Sequence, residues 1–81
     1  MKDYTLNFEE ALKMVLSGNA WAQGEDYSKG VVLRLDSWGE VVDVYCFEDG
    51  TSFPLTIRKR CLSQKYKIVH TQLDAMKNKD L

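Results

Sequence analysis

Apolar residues near the start of the chain recur with the period of a helix. Phe8, Ala11, Leu12, Val15 and Leu16 follow the i, i+3, i+4, i+7, i+8 spacing of one helical face, which predicts a helix over residues 7–17. Asn7 stands where an N-cap belongs, and Glu10, three positions on, is placed to complete a capping box. Glu9 and Glu10 suit the positive end of the helix dipole, and Gly18 supplies a left-handed stop.

Beyond Gly18 the period changes to that of strands. Val31 to Leu35 is apolar and β-branched, and Asp36-Ser37-Trp38-Gly39 reads as the turn after it. Val41 to Phe47 is the next strand, with Glu48-Asp49-Gly50 as a hairpin turn. Thr51 to Leu55 follows, and Pro54 confines it to a sheet edge or to the strand's end. These three runs predict an antiparallel meander. Ala20 to Gln23 predicts a further strand before a polar loop of seven residues, Gly24 to Gly30, and Tyr66 to Val69 alternates as a last strand. Thr56 is placed to cap one or two helical turns reaching Leu62. The expected fold is α+β, with one N-terminal helix packed on a small, curved, mostly antiparallel sheet. Residues 1–70 form a single domain on this reading, and 71–81 a polar tail or short helix whose main apolar contacts are Leu73 and Met76.

At 81 residues the chain has material for one core, and burial alone stabilises so short a domain only marginally. Shared surface in a homo-oligomer would help. The start of the chain lacks the charged and apolar regions of a signal peptide, and no apolar run is long enough to span a bilayer. The expectation is a cytoplasmic protein with no membrane partner. Two cysteines, Cys46 and Cys61, are fewer than a secreted domain of this size usually carries and read as reduced thiols. With one histidine, His70, distant from both in sequence, they do not suggest a metal site, and no cofactor is expected.

Charge is unevenly distributed. Residues 1–55 hold ten acidic and four basic side chains, whereas 56–81 hold seven basic and two acidic ones. An acidic half would repel the phosphates of a long nucleic acid, although the basic half could hold a small anion. His70 has no adjacent nucleophile or orienting group, and the phosphate-loop, dinucleotide, nucleophile-elbow and zinc-protease patterns are all absent. The reading is a binding protein, not an enzyme.

Aromatic side chains beside loops are the remaining signal. Trp21, Tyr27 and Trp38 flank the predicted loops, where they either fill the core or offer stacking surfaces to a nucleotide ring; Tyr45 and Phe53 read as core. Arg58-Lys59-Arg60 is either a solvated face or a phosphate clamp. Lys29, Arg58 and Arg60 are the candidate phosphate partners.

Taken in order, several of these features resemble the phage anti-Thoeris nucleotide-sponge family of the second type. They are Asn7-Phe8-Glu9-Glu10-Ala11-Leu12, the break at Ser17-Gly18, the aromatic loop ending in Lys29-Gly30, the strand Val31 to Leu35, Leu55-Thr56, and the closing Tyr66-Lys67-Ile68-Val69. In this sequence Tyr27 stands where the family's loop has tryptophan, and Tyr66 opens the last strand where the family also has tryptophan. The resemblance implies a phage protein that binds a cyclic nucleotide immune signal, of the cyclic ADP-ribose isomer type, in the host cytoplasm without cleaving it. It also implies homo-oligomers, commonly tetramers, with ligand pockets at subunit boundaries. The second reading, from a different class, is a protein-interaction module that inhibits a host enzyme by covering its surface. Convergence of Trp21 and Tyr27 in one pocket favours the first; separate burial favours the second.

Overall fold

The computed structural model describes residues 4–18 and 20–76. It contains α1 (Phe8–Leu16), β1 (Trp21–Gly24), β2 (Val31–Leu35), β3 (Val42–Cys46), β4 (Thr51–Pro54), α2 (Lys59–Ser63), β5 (Tyr66–Val69) and α3 (Gln72–Met76). The strands form one open sheet in the order β4-β3-β2-β1-β5, with every neighbouring pair antiparallel. The α+β reading holds, and the meander β2-β3-β4 is extended through β1 by β5.

The capping box of α1 is formed as expected. Glu10 N–H donates to Asn7 Oδ1 at 2.8 Å, and Asn7 N–H donates to Glu10 Oε1 at 2.9 Å. Gly18, at φ +82°, then reverses the chain into β1. Phe8, Ala11 and Val15 are buried and Leu12 is half-buried, but Leu16 in the last turn is 49% exposed. The buried stripe is thus narrower than the apolar pattern.

Alternation along the strands gives the sheet two different faces. On the first, α1 packs over β1, β2 and β5, and Ala22, Leu33, Val42 and Tyr66 join Phe8, Ala11, Val15 and Cys61 in the main cluster. On the second, Val32, Val69 and Ala75 of α3 form a smaller cluster, flanked by Trp21, Tyr45 and Phe47. Arg34 lies over the Tyr45 ring, 3.9 Å from its centroid, and its Nε donates to Asp43 Oδ1 at 3.2 Å. Residues 72–76 of the predicted tail are therefore a helix seated on the sheet, and 77–81 lie outside the described residues.

Strand β4 is an edge, and its hydrogen-bonding parity explains Pro54. Leu55 N–H donates inward to Val42 O, which sets Phe53 and Thr51 in the same phase toward β3, so the backbone groups of Ser52 and Pro54, in the alternate phase, face away from it. The N–H that proline lacks would have pointed at solvent. All four β4 residues are exposed, Phe53 by 59%. This corrects the expectation that Phe53 is core, because α1 lies over the opposite part of the sheet. The β2–β3 turn is held by Asp36, whose Oδ1 accepts from Glu40 N–H and Val41 N–H, and these bonds hold its carboxyl below the usual carboxylate range. The second short helix begins at Lys59 with Arg58 at its N-cap, not at Thr56.

Candidate binding cleft

Tyr27 leaves the polar loop and turns back over the first face of the sheet. Its N–H donates to Gly24 O at 3.0 Å, closing a tight turn, and Glu25 N–H donates to Lys65 O at 2.9 Å. Gln64, buried at 6% exposure, accepts from Asp26 N–H at 2.9 Å and so ties the loop to the end of α2. The Tyr27 ring meets Tyr66 edge-on, with centroids 6.0 Å apart and planes at 88°. Tyr66 is fully buried and donates its hydroxyl proton to Cys61 O at 2.9 Å.

The exposed side of Tyr27 borders an open cleft of about 400 Å³, shared with Val44, Phe53, Leu55, Thr56, Arg58 and Cys61. That volume lies within the range of small-molecule sites. The Cys61 thiol at its base is within 3.5 Å of Arg58 N–H, which donates to Sγ, and 3.8 Å from Thr56 O. Arg58 projects from an exposed position at the start of α2, so its guanidinium is accessible to an anion. A mostly apolar cleft with two aromatic rings, Tyr27 and Phe53, in its lining and one cation at its mouth suits a flat ring bearing a negative charge.

Of the six residues singled out from the sequence, the structure brings Tyr27 and Arg58 together. Trp21 is on the opposite face of the sheet, packed against Phe47 with centroids 5.1 Å apart, so Trp21 and Tyr27 do not converge, and on that criterion the second reading, surface covering, gains. Trp38 is 85% exposed in the β2–β3 turn, and Lys29 and Arg60 are exposed outside the cleft lining. Phe53 and Cys61 line the cleft although neither was a candidate. Pro54 was the available signal for Phe53: a large apolar residue beside a proline-marked edge has nothing to cover it.

Burial pushes the Tyr27 phenol up to about 12, offset in part by its hydrogen bond with Tyr66, and burial together with Tyr27 and Cys61 pushes Tyr66 further in the same direction. Raised phenol values mean that the folded state resists ionisation more than the unfolded chain, whose tyrosines titrate near about 10. Stability from these groups is complete below that value and is lost as pH rises toward 12. The urea midpoint is expected to fall steeply above pH 10 in the wild type and less steeply in Tyr27→Phe. Identical slopes for the two proteins would show that Tyr27 is not shielded as described.

Among the described residues, no group of three or more His, Cys, Asp or Glu could hold a metal ion, and no helix is long and apolar enough to cross a membrane. Comparison with protein-family models, curated proteins and solved structures finds no match to this chain.

Proposed function

We propose that this protein is a non-catalytic sponge that holds a small phosphorylated, ring-bearing ligand of the cyclic nucleotide class. The observation that carries this reading is the meeting of Tyr27, Phe53 and Arg58 around one open cleft. A base would stack on Phe53 or against Tyr27, and a phosphate would pair with Arg58. The lining includes the Cys61 thiol but no histidine or carboxylate to take its proton, which supports retention of the ligand without cleavage. The family resemblance of the N-terminal segment points the same way and narrows the ligand to a cyclic ADP-ribose isomer, captured in the cytoplasm of a phage-infected host. Assembly of copies belongs to the same proposal, since Phe53 leaves one wall of the cleft open to a second chain.

Calorimetric titration with cyclic ADP-ribose isomers tests it. Arg58→Glu is expected to weaken binding about tenfold or more, because a charge-assisted contact becomes a repulsion. Trp21→Ala, on the far face, is expected to leave affinity within about twofold, as distant sites act independently. Ligand released by heating should run unchanged on chromatography. Full affinity in Arg58→Glu would place the ligand elsewhere, and a cleaved product would end the sponge reading.

A specific surface favours the second reading. Phe53, Ile57 and Leu62 are 59%, 62% and 67% exposed along β4 and the segment that follows it, an apolar area of the kind that docks against another protein. Ile57→Asp and Leu62→Asp lie outside the cleft lining, so they separate the two: loss of host-enzyme inhibition with unchanged nucleotide affinity would favour surface covering.

A further inference from the structure

Gln23 is fully buried in β1, on the sheet face opposite the cleft. Its Nε2 donates to Val31 O at 3.1 Å and to Ala75 O at 2.8 Å. These two acceptors settle the orientation of the amide, because the flipped form would set Oε1 against two carbonyl oxygens. Oε1 is left buried without a hydrogen-bond partner, a cost that an apolar side chain of the same size would avoid. Whatever Gln23 contributes must therefore come from the two bonds that Nε2 makes.

The same Ala75 carbonyl receives a second donor. Gly30 N–H bonds to it at 3.1 Å, while Gly30 O accepts from Phe47 N–H at 2.9 Å. Gly30 has φ +82°, a conformation that favours glycine, and a Cβ there would stand 2.8 Å from Met76 Sδ, so the methionine side chain of α3 would have to shift to admit one. Gln23 immediately precedes the loop that begins at Gly24, and Gly30 ends it. Both ends of the segment that carries Tyr27 across to the cleft thus meet at one carbonyl oxygen. The helix that presents that oxygen is five residues long, too short to persist without such anchors.

We infer that Ala75 O, gripped by Gln23 and Gly30, is a clasp through which α3 positions the Tyr27 loop and so shapes the cleft on the other side of the sheet. Gln23 is a positioning residue in this arrangement, acting through the loop and not on a ligand. What the cleft holds rests on the proposed function; the clasp itself is a property of the ligand-free chain.

Amide hydrogen exchange on the full chain without ligand tests it. Gln23→Met keeps the side chain's bulk and removes both donated bonds, and Gln23→Glu places a carboxylate against the Val31 and Ala75 oxygens. In each variant exchange at Gly30 and at Tyr27, whose N–H is bonded to Gly24 O, is expected to quicken about tenfold, while Ala11 and Val15 in α1 keep their wild-type rates. Faster exchange at Gly30 with Tyr27 unchanged would overturn the inference, since α3 would then be fastened to the loop's end without positioning it. Uniform acceleration in Gln23→Met would overturn it too, as a general loss of stability. Because no nucleotide is present, failure of the clasp is distinguishable from failure of the sponge.

Discussion

Leu33→Ala is expected to remove about 2–5 kcal/mol of folding stability, the range for truncating a fully buried leucine. Leu33 is at 0% exposure in the central strand β2. It sits opposite Ala22 on β1 and Val44 on β3, in the cluster that α1 covers with Phe8, Ala11 and Val15. Ala22 is small, so the cavity has few long side chains on that side to collapse into it. A domain of this length has a total stability on the order of 4–12 kcal/mol, so the variant is expected to be near the limit of folding at 37 °C. Urea unfolding followed by tryptophan fluorescence measures the loss. A decrease below about 1 kcal/mol would mean that the site repacks, against the close packing expected of a buried core.

The architecture was legible wherever a local rule and burial agree. Asn7 and Glu10 announced the helix start, and both bonds of the box are present. Val31 to Leu35 and Tyr66 to Val69 have their predicted bounds, because runs rich in β-branched and aromatic residues leave little competition from helix. The neighbour of β5 was not legible: its pairing with β1 brings Tyr66 opposite Gly24, far apart in sequence, and no local pattern encodes that register. Nor could the sequence show that Leu16 lies outside the buried stripe.

The site was less legible than the fold, for a reason that Trp21 and Tyr27 illustrate. They are six positions apart, yet Trp21 belongs to the second face and Tyr27 to the first. Strand parity puts Ala22 and Trp21 on opposite faces, but the path of a seven-residue loop decides which face Tyr27 reaches. Arg58 joins Tyr27 only because α2 begins at Lys59 and Cys61 folds beneath it. Phe53 was missed by treating aromatic character as burial, although Pro54 beside it had already placed that strand at an edge.

Gly24→Ala is the substitution expected to damage cleft and fold together. Gly24 has a strand conformation, so the new methyl costs nothing through the backbone. Its cost is spatial: a Cβ would press on the Gln64 amide and stand 2.9 Å from Tyr27 Cε1. Neither neighbour can yield freely. Gln64 is 6% exposed and holds Asp26 N–H, while Tyr27 is braced edge-on against the fully buried Tyr66 ring. Overpacking of this kind costs about 1–3 kcal/mol, and relief requires Tyr27 to swing toward the cleft and fill part of its volume. Urea denaturation should show the stability loss. Two-dimensional NMR should show shifts concentrated at Tyr27, Gln64 and the cleft residues Phe53 and Arg58, with Trp21 and Ala75 on the far face little changed. Restored stability in Gly24→Ala combined with Gln64→Ala would identify Gln64 as the obstructing group. If the single variant were as stable as wild type, with Tyr27 unmoved, the close packing that forms the inner wall of the cleft would be refuted.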